Sequence, residues 1–327
     1  MVISNQNYEL LFTNYDLKKM EMLYQRDIYG QTLVELGRKN PKIVVLDADL
    51  SGSTRTALFA KEFPERFFNF GVAEQNMMAT AAGLASCHKV VFASTFAVFA
   101  TGRAWDQVRN SIGYNNFDIK IVASHAGLTV GPDGSSHQAL EDITLMRVIP
   151  NIKIIVPCDG PQTHDAVIAA ASTEGPFYIR LGRPKVATIE NKGEFKLGQA
   201  QVLTTGEDIT IVACGIMVHA ALEAAKKLLA GGIKAGVINI HTIRPLDTDA
   251  ILKHARRSRG LVVCEEHTVI GGLASSINEV VAENCPTKVV CVGIKNRFGQ
   301  SGEPADLLKE YNLTSADIEK AALGIIA

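Results

Sequence analysis

Glu74 stands at the head of residues 75–85, a run of mostly small and apolar side chains with helical character. A carboxyl group there is pulled two ways, because a helix N-terminus favours the anion and desolvation favours the acid. If desolvation prevails, Glu74 gives and takes protons near neutral pH. The alternative is a capping carboxylate satisfied by backbone N–H groups. A second concentration of chemistry lies in residues 127–137, where three glycines and Pro132 let the backbone approach a ligand closely. Asp133 and His137 can then face one site. A zinc site from His137 with Asp133 or Glu141 supplies too few nitrogen or sulfur ligands, so no metal is assigned to the chain. For His125 and His137 the plain alternative is a hydrogen-bonded loop histidine.

These residues follow short apolar runs. Residues 43–46 lead into Asp47, Asp49 and Ser53; 90–94 into Phe96 and Phe99; 119–123 into His125; and 177–179 into Arg180 and Arg183. Strand-to-helix loops are commonly polar. In an open α/β sheet, however, ligands bind beyond the carboxyl ends of the strands, where all of these fall.

The elements that must position them alternate in the manner of an α/β protein, Val- and Ile-rich runs interleaved with segments of helical period. Strands are expected at 43–46, 90–94, 119–123, 153–156 and 177–181, then at 209–213, 235–240, 260–264 and 288–293. Between the sets, residues 186–201 carry Glu190, Lys192, Glu194 and Lys196 with little apolar periodicity. The expected organisation is an arm over 1–20, a domain over 21–187, a linker over 188–201 and a domain over 202–327. Each domain is read as three layers with helices on both faces, the first sheet largely parallel and the second smaller and mixed. A helix is expected over 218–230, an N-cap at Asp247 and a capping box from Thr314 and Asp317.

The chain has 327 residues, about two domains at roughly 150 residues each. Lys plus Arg number 33 and Asp plus Glu 34, and this balance argues against nucleic-acid or membrane-surface binding driven by bulk charge. No apolar stretch reaches the ~20 residues of a membrane helix. The first ten residues include Asn5, Gln6, Asn7 and Glu9 rather than a basic start and an apolar run, so a cytoplasmic location is expected. Six cysteines without a CxxC pair read as reduced thiols. GxGxxG, GxxxxGK, GxSxG and HExxH are all absent, which removes the main support for dinucleotide, P-loop, hydrolase and zincin readings.

The run Phe70, Gly71, Val72, Ala73, Glu74, Gln75, Asn76, Met77, then Ser94, Thr95, Phe96, then residues 131–138 from Gly131 to Gln138, resembles the pyrimidine-binding domain of transketolases. The remainder resembles the transketolase C-terminal domain. The resemblance implies a thiamine diphosphate enzyme that moves a two-carbon ketol unit between sugar phosphates. Under it, Glu74 hydrogen-bonds the aminopyrimidine ring nitrogen and favours the imino tautomer, so that the cofactor's own amine deprotonates its thiazolium carbon. Phe96 and Phe99 hold the ring by stacking. Asp133 meets the substrate hydroxyl beside the reacting carbonyl, His137 steadies the carbonyl oxygen or the adjacent hydroxyls, and His125 lines the substrate channel. Arg26, Ser53 and Arg180 match the phosphate clamp, with Arg183 a less secure member. Asp49 matches an aspartate close to the cofactor.

Two features depart from that family's pattern. Thr101, Gly102 and Arg103 stand where transketolases commonly place another aromatic, and residues 103–107 resemble deoxyxylulose phosphate synthases. The Gly-Asp-Gly signature with its later Asn, which binds the cofactor's diphosphate and a divalent cation, is missing. The implied protein is the C-terminal subunit of a split transketolase, in a heterotetramer with an N-terminal chain that holds magnesium or calcium. Alternative readings are the beta subunit of a 2-oxo acid dehydrogenase, a deoxyxylulose phosphate synthase-like enzyme and a noncatalytic regulatory subunit. Asp133 with His137 favours sugar phosphates over a 2-oxo acid, which lacks hydroxyls for them to read. Glu265, Glu266 and His267 are assigned no chemistry and are expected to cap elements or line an interface.

Overall fold

The computed structural model describes residues 21–190 and 192–327. The arm expected over 1–20 lies outside the described residues. In the first half the strands are β1 (Met22–Tyr24), β2 (Ile43–Asp47), β3 (Phe67–Asn69), β4 (Val90–Phe96), β5 (Ile119–Ser124), β6 (Lys153–Ile155), β7 (Phe177–Arg180) and β8 (Lys185–Ala187). The second half contributes β9 (Gln201–Thr204), β10 (Ile209–Ala213), β11 (Ala235–Asn239), β12 (Thr242–Arg244), β13 (Leu261–Thr268) and β14 (Val289–Ile294).

Seven strands form the first sheet in the order β12-β6-β7-β5-β4-β2-β3, parallel except where β12 runs against β6. Its central strands are apolar on both sides because helices cover both faces. Ile43 and Val45 of β2 join a cluster with Tyr29 and Leu33 of the helix Gln25–Lys39 and with Ala166 and Val167 of the helix Gly160–Ala171. Val44 and Leu46 face the other way, toward Met77, Met78 and Ala81 of the helix Glu74–Ser86. The second sheet has the order β14-β13-β10-β11-β9, with only β9 antiparallel. A two-stranded ribbon of β1 and β8 pairs Met22 with Ala187 and draws the two ends of the first half together.

The nine expected strands are all present. The five others, β1, β3, β8, β9 and β12, have three or four residues each and are too short to display a repeat. β13 continues to Thr268 and so takes Glu265, Glu266 and His267 into the sheet. β12 comes from the second half yet completes the edge of the first sheet, Thr242 pairing with Ile155. The expected linker is partly built in: Gln201 already belongs to β9, and Lys192 and the Ile189 N–H both reach Asp159 at 2.8 Å. Asp247 caps its helix by accepting from the Ala250 N–H at 3.0 Å, and the Thr314–Asp317 capping box forms. One apolar cluster runs from Val44 and Ile121 through Val212 and Ile238 to Leu261 and Leu273, so the two halves share a core. Among the described residues no helix is long and apolar enough to cross a membrane.

Candidate active site

Glu74 begins its helix, as the sequence requires, and is 1% exposed. Its partner is Arg103, whose Nη1 donates to Oε1 at 3.0 Å and to Oε2 at 2.9 Å. A buried carboxylate needs such compensation. The geometry that brings Arg103 there is local: the Ala104 N–H donates to the Phe99 carbonyl, five residues back, at 3.3 Å. That wide, π-type turn accommodates Gly102 and swings Arg103 over the Phe99 ring, 4.6 Å from its centroid. Arg103 is thus the residue that joins the carboxylate to the aromatic side of the site.

Phe96 ends β4 and Phe99 follows one turn later, their rings 6.1 Å apart and inclined by 13°. His125 lies on Phe96 at 3.8 Å between centroids, and His137 meets Phe99 edge-on at 5.4 Å. His125 sits at the carboxyl end of β5 with a positive φ of 57°, which turns its ring into the cluster. Its Nδ1 lies 2.9 Å from Ser124 Oγ and its Nε2 3.5 Å from Arg26 Nη1. Burial first, then Arg26, Arg183 and His137, push its pKa down to about 3. A neutral imidazole donating from Nδ1 and accepting at Nε2 satisfies both contacts.

Beyond the rings is a cationic end. Arg26 Nη1 also donates to the Ser53 carbonyl at 3.4 Å, and its Nε is buried without a partner. Burial, then the nearby Arg55, lowers the Arg26 pKa. Arg183 is half-exposed, 3.9 Å from Asp133, and donates to the Val130 carbonyl. Ser53 is carried by a loop organised around buried Asp47, which accepts from the Leu50 N–H at 2.6 Å, Thr54 Oγ1 at 2.7 Å and Thr56 Oγ1 at 2.8 Å.

Arg180 is not part of this end. It is 6% exposed, and its Nε donates to Asp142 Oδ2 at 2.7 Å while Nη2 donates to the Glu266 and Ala139 carbonyls. Burial opposes its charge, but Asp142 and Glu266 outweigh that and hold it more firmly protonated. Arg180, expected in the clamp, is instead taken up by Asp142 inside the protein, whereas Arg183 lies past the strand end beside Asp133. Asp49, exposed and with φ of 64°, exchanges hydrogen bonds with Asn69 instead of joining the ring cluster.

The loop with Asp133 and His137 rests on the second half. Thr129 N–H donates to Glu266 Oε1 at 2.6 Å, Gln138 Nε2 to the Gln300 carbonyl at 2.9 Å, and Ser301 Oγ to the Pro132 carbonyl at 2.7 Å. Glu265 receives the N–H groups of Leu273 and Ala274, both at 2.8 Å, and so caps a helix. Burial dominates this interior group, raising Glu265 and Glu266 each to about 7 and lowering His267 to about 4. Sequence reasoning missed Arg103 and Glu266. The first looked like a departure from a pattern, and nothing in a linear sequence shows that β13 points Glu266 at residue 129.

Residues 21–188 match the transketolase pyrimidine binding domain, and residues 198–318 match the transketolase C-terminal domain. A transketolase C-terminal section of Methanocaldococcus jannaschii is 48% identical over 297 residues, 89% of this chain and 93% of that one. The 6-deoxy-6-sulfo-D-fructose transketolase subunit SqwH of Clostridium sp. is 40% identical over 305 residues, 93% of this chain and 95% of that one. Among solved structures, a split gene transketolase described as an inactive beta4 tetramer superposes with a TM-score of 0.87 at 51% identity, covering 93% of this chain and 98% of that one. With both domains matched and relatives this similar over nearly their whole lengths, the chain belongs to the transketolase family.

Proposed function

We propose that this chain is the C-terminal subunit of a two-chain, thiamine diphosphate-dependent transketolase that transfers a two-carbon ketol unit from a ketose to an aldose sugar phosphate. The observation that carries the reading is the line from Glu74 through Phe99, Phe96 and His125 to Arg26, a buried carboxylate at one end and a guanidinium at the other. The residues suit an aminopyrimidine. Flat rings at Phe96 and Phe99 lie one guanidinium away from a buried carboxylate that keeps lone pairs to spare.

When bound, the cofactor supplies the carbanion chemistry that a two-carbon transfer needs. In this reading Glu74 holds the ring nitrogen, and Phe96 and Phe99 fix the ring plane. Asp133 reads the hydroxyl beside the reacting carbonyl, and His137 steadies the carbonyl oxygen. His125 presents a neutral imidazole along the substrate. Arg26, Ser53 and Arg183 grip the terminal phosphate, where two guanidiniums suit a dianion. Among the described residues no three His, Cys, Asp or Glu side chains gather as a cation site. In this reading the divalent cation and the diphosphate belong to an N-terminal partner subunit, with the pair assembling as a heterotetramer in the cytoplasm. The similar inactive tetramer of beta chains alone supports a need for that partner.

The test is ketol transfer from xylulose 5-phosphate to ribose 5-phosphate, with thiamine diphosphate and magnesium, by this chain alone and with its N-terminal partner. Activity only in the complex is expected. Turnover of pyruvate instead would favour a 2-oxo acid enzyme, and a stable but inactive complex would favour a regulatory subunit. A second reading draws on the sulfosugar transketolase subunit among the relatives, since a clamp of two arginines also fits a sulfonate. Faster transfer from 6-deoxy-6-sulfofructose than from xylulose 5-phosphate would select it.

A further inference from the structure

We propose that Glu266, in the C-terminal domain, is a positioning residue for the loop that carries Asp133 and His137. The proposal rests on the reading above, in which those two side chains face the substrate. Glu266 is 3% exposed and places Oε1 at 2.6 Å from the Thr129 N–H, four residues before Asp133. The approach is built from both sides. Gly127 adopts a φ of +83°, and a Cβ there would stand 2.3–2.5 Å from the Glu266 carboxylate, so the carboxylate occupies the place a side chain would take. On the other side Arg180 fixes the Glu266 backbone, donating from Nη2 to its carbonyl at 2.9 Å. The Thr268 N–H donates to the Leu140 carbonyl at 2.8 Å and anchors the far end of the loop to the same strand.

The cost of this arrangement argues for a purpose beyond filling space. Burial of the Glu266 carboxylate is unfavourable, and Arg180 offsets only part of that cost while Asp142 adds to it, whereas an apolar side chain at 266 would cost nothing in desolvation. What the carboxylate provides is a short, directed, charge-assisted bond to the Thr129 N–H at the start of a loop rich in glycine, whose later part is held separately by Gln138 and Ser301. Displacement of a substrate-reading group by about 1 Å costs on the order of 10²-fold in rate. Holding Thr129 therefore holds the register of Asp133 and His137.

The experiment compares Glu266→Ala, Glu266→Gln and wild type in the full chain by amide hydrogen exchange, and in the partner complex by steady-state kinetics. Exchange across residues 128–137 is expected to rise at least ~10-fold in Glu266→Ala and by less than ~3-fold in Glu266→Gln, which keeps an acceptor, while residues 209–213 stay protected. KM for the ketose is expected to rise about 10-fold in Glu266→Ala, with rescue by Gln. Should Glu266→Ala not fold, Gly127→Ala breaks the same contact from the loop side and is expected to release the same segment. Unchanged loop exchange in a folded variant that has lost the contact overturns the proposal. If the wild-type complex shows no ketol transfer, the functional reading fails, and the exchange measurement alone decides the role of Glu266.

Discussion

The ring of His125 lies flat on that of Phe96, 3.8 Å between centroids and inclined by 23°, so the imidazole is held between the Phe96 ring and the Arg26 guanidinium. The stack also desolvates the imidazole beside two guanidiniums, and burial is the largest cause of its low pKa of about 3. A depressed histidine contributes stability above its unfolded pKa of about 6.5, lost as pH falls toward the folded value. Expected between pH 5 and 9 is a His125 that does not titrate, followed by NMR of the ring protons; a midpoint near 6.5 would mean the stack does not form.

Glu74→Ala is expected to lower ketol transfer by at least ~10²-fold in the partner complex while leaving assembly intact. Co-elution with the partner checks the second half of that statement. Arg103→Ala leaves the Glu74 carboxylate buried with its partner gone, an uncompensated acceptor that typically costs about 1–3 kcal/mol. Urea unfolding should show that loss in Arg103→Ala; an unchanged midpoint would show that the pair contributes nothing.

Arg180 and Arg183 are three residues apart and should behave oppositely. Removing Arg180 strands buried Asp142, whose carboxyl burial pushes up but Arg180 and His267 hold below its usual range. Breaking a buried pair typically costs about 3–5 kcal/mol. Arg183→Ala should leave the unfolding midpoint near wild type and raise KM for phosphorylated substrates by about 10-fold or more. An unstable Arg183→Ala with normal KM would return the clamp to Arg180.

Glu266 also predicts a pH dependence. Burial raises its carboxyl to about 7, above the unfolded value of about 4.3. Between those values the native state holds more protons than the unfolded one, so the stability linked to this group falls as pH rises through the window. The stability of wild type relative to Glu266→Gln should therefore decline from pH 5 to pH 8, read from paired urea titrations. His267 shifts the other way, to about 4, but is common to both proteins. A pH-independent difference would contradict the assignment.

The alternation of apolar runs was enough to find the long strands and the two sheets, because each such strand is buried on both faces and carries its own signal. Glu74, Phe96, Phe99 and His125 stood out because each follows a strand end or opens a helix that the pattern marks, and His137 because its loop is rich in glycine, but only the family resemblance attached roles to them. Arg180 and Arg183 were not separable by type or loop position. What tells them apart is that Arg180 ends β7 facing Asp142 while Arg183 lies past the strand beside Asp133, and both partners come from distant parts of the chain. Arg103 was hidden for a related reason, since a wide turn changes the face on which a residue emerges. Glu266 needed the packing of one half on the other.

The pairing of β12 with β6 bears on how the polypeptide emerges from the ribosome. When residue 190 has been made, the seven-stranded sheet still lacks an edge, and Ile154 and Ile155 present an unpaired apolar border. About 55 more residues must be synthesised before Thr242–Arg244 can close it, roughly three to eleven seconds at ordinary elongation rates. During that interval the border is open to edge-to-edge association, and a truncation after the first half, which also lacks its share of the common core, should be made as insoluble protein.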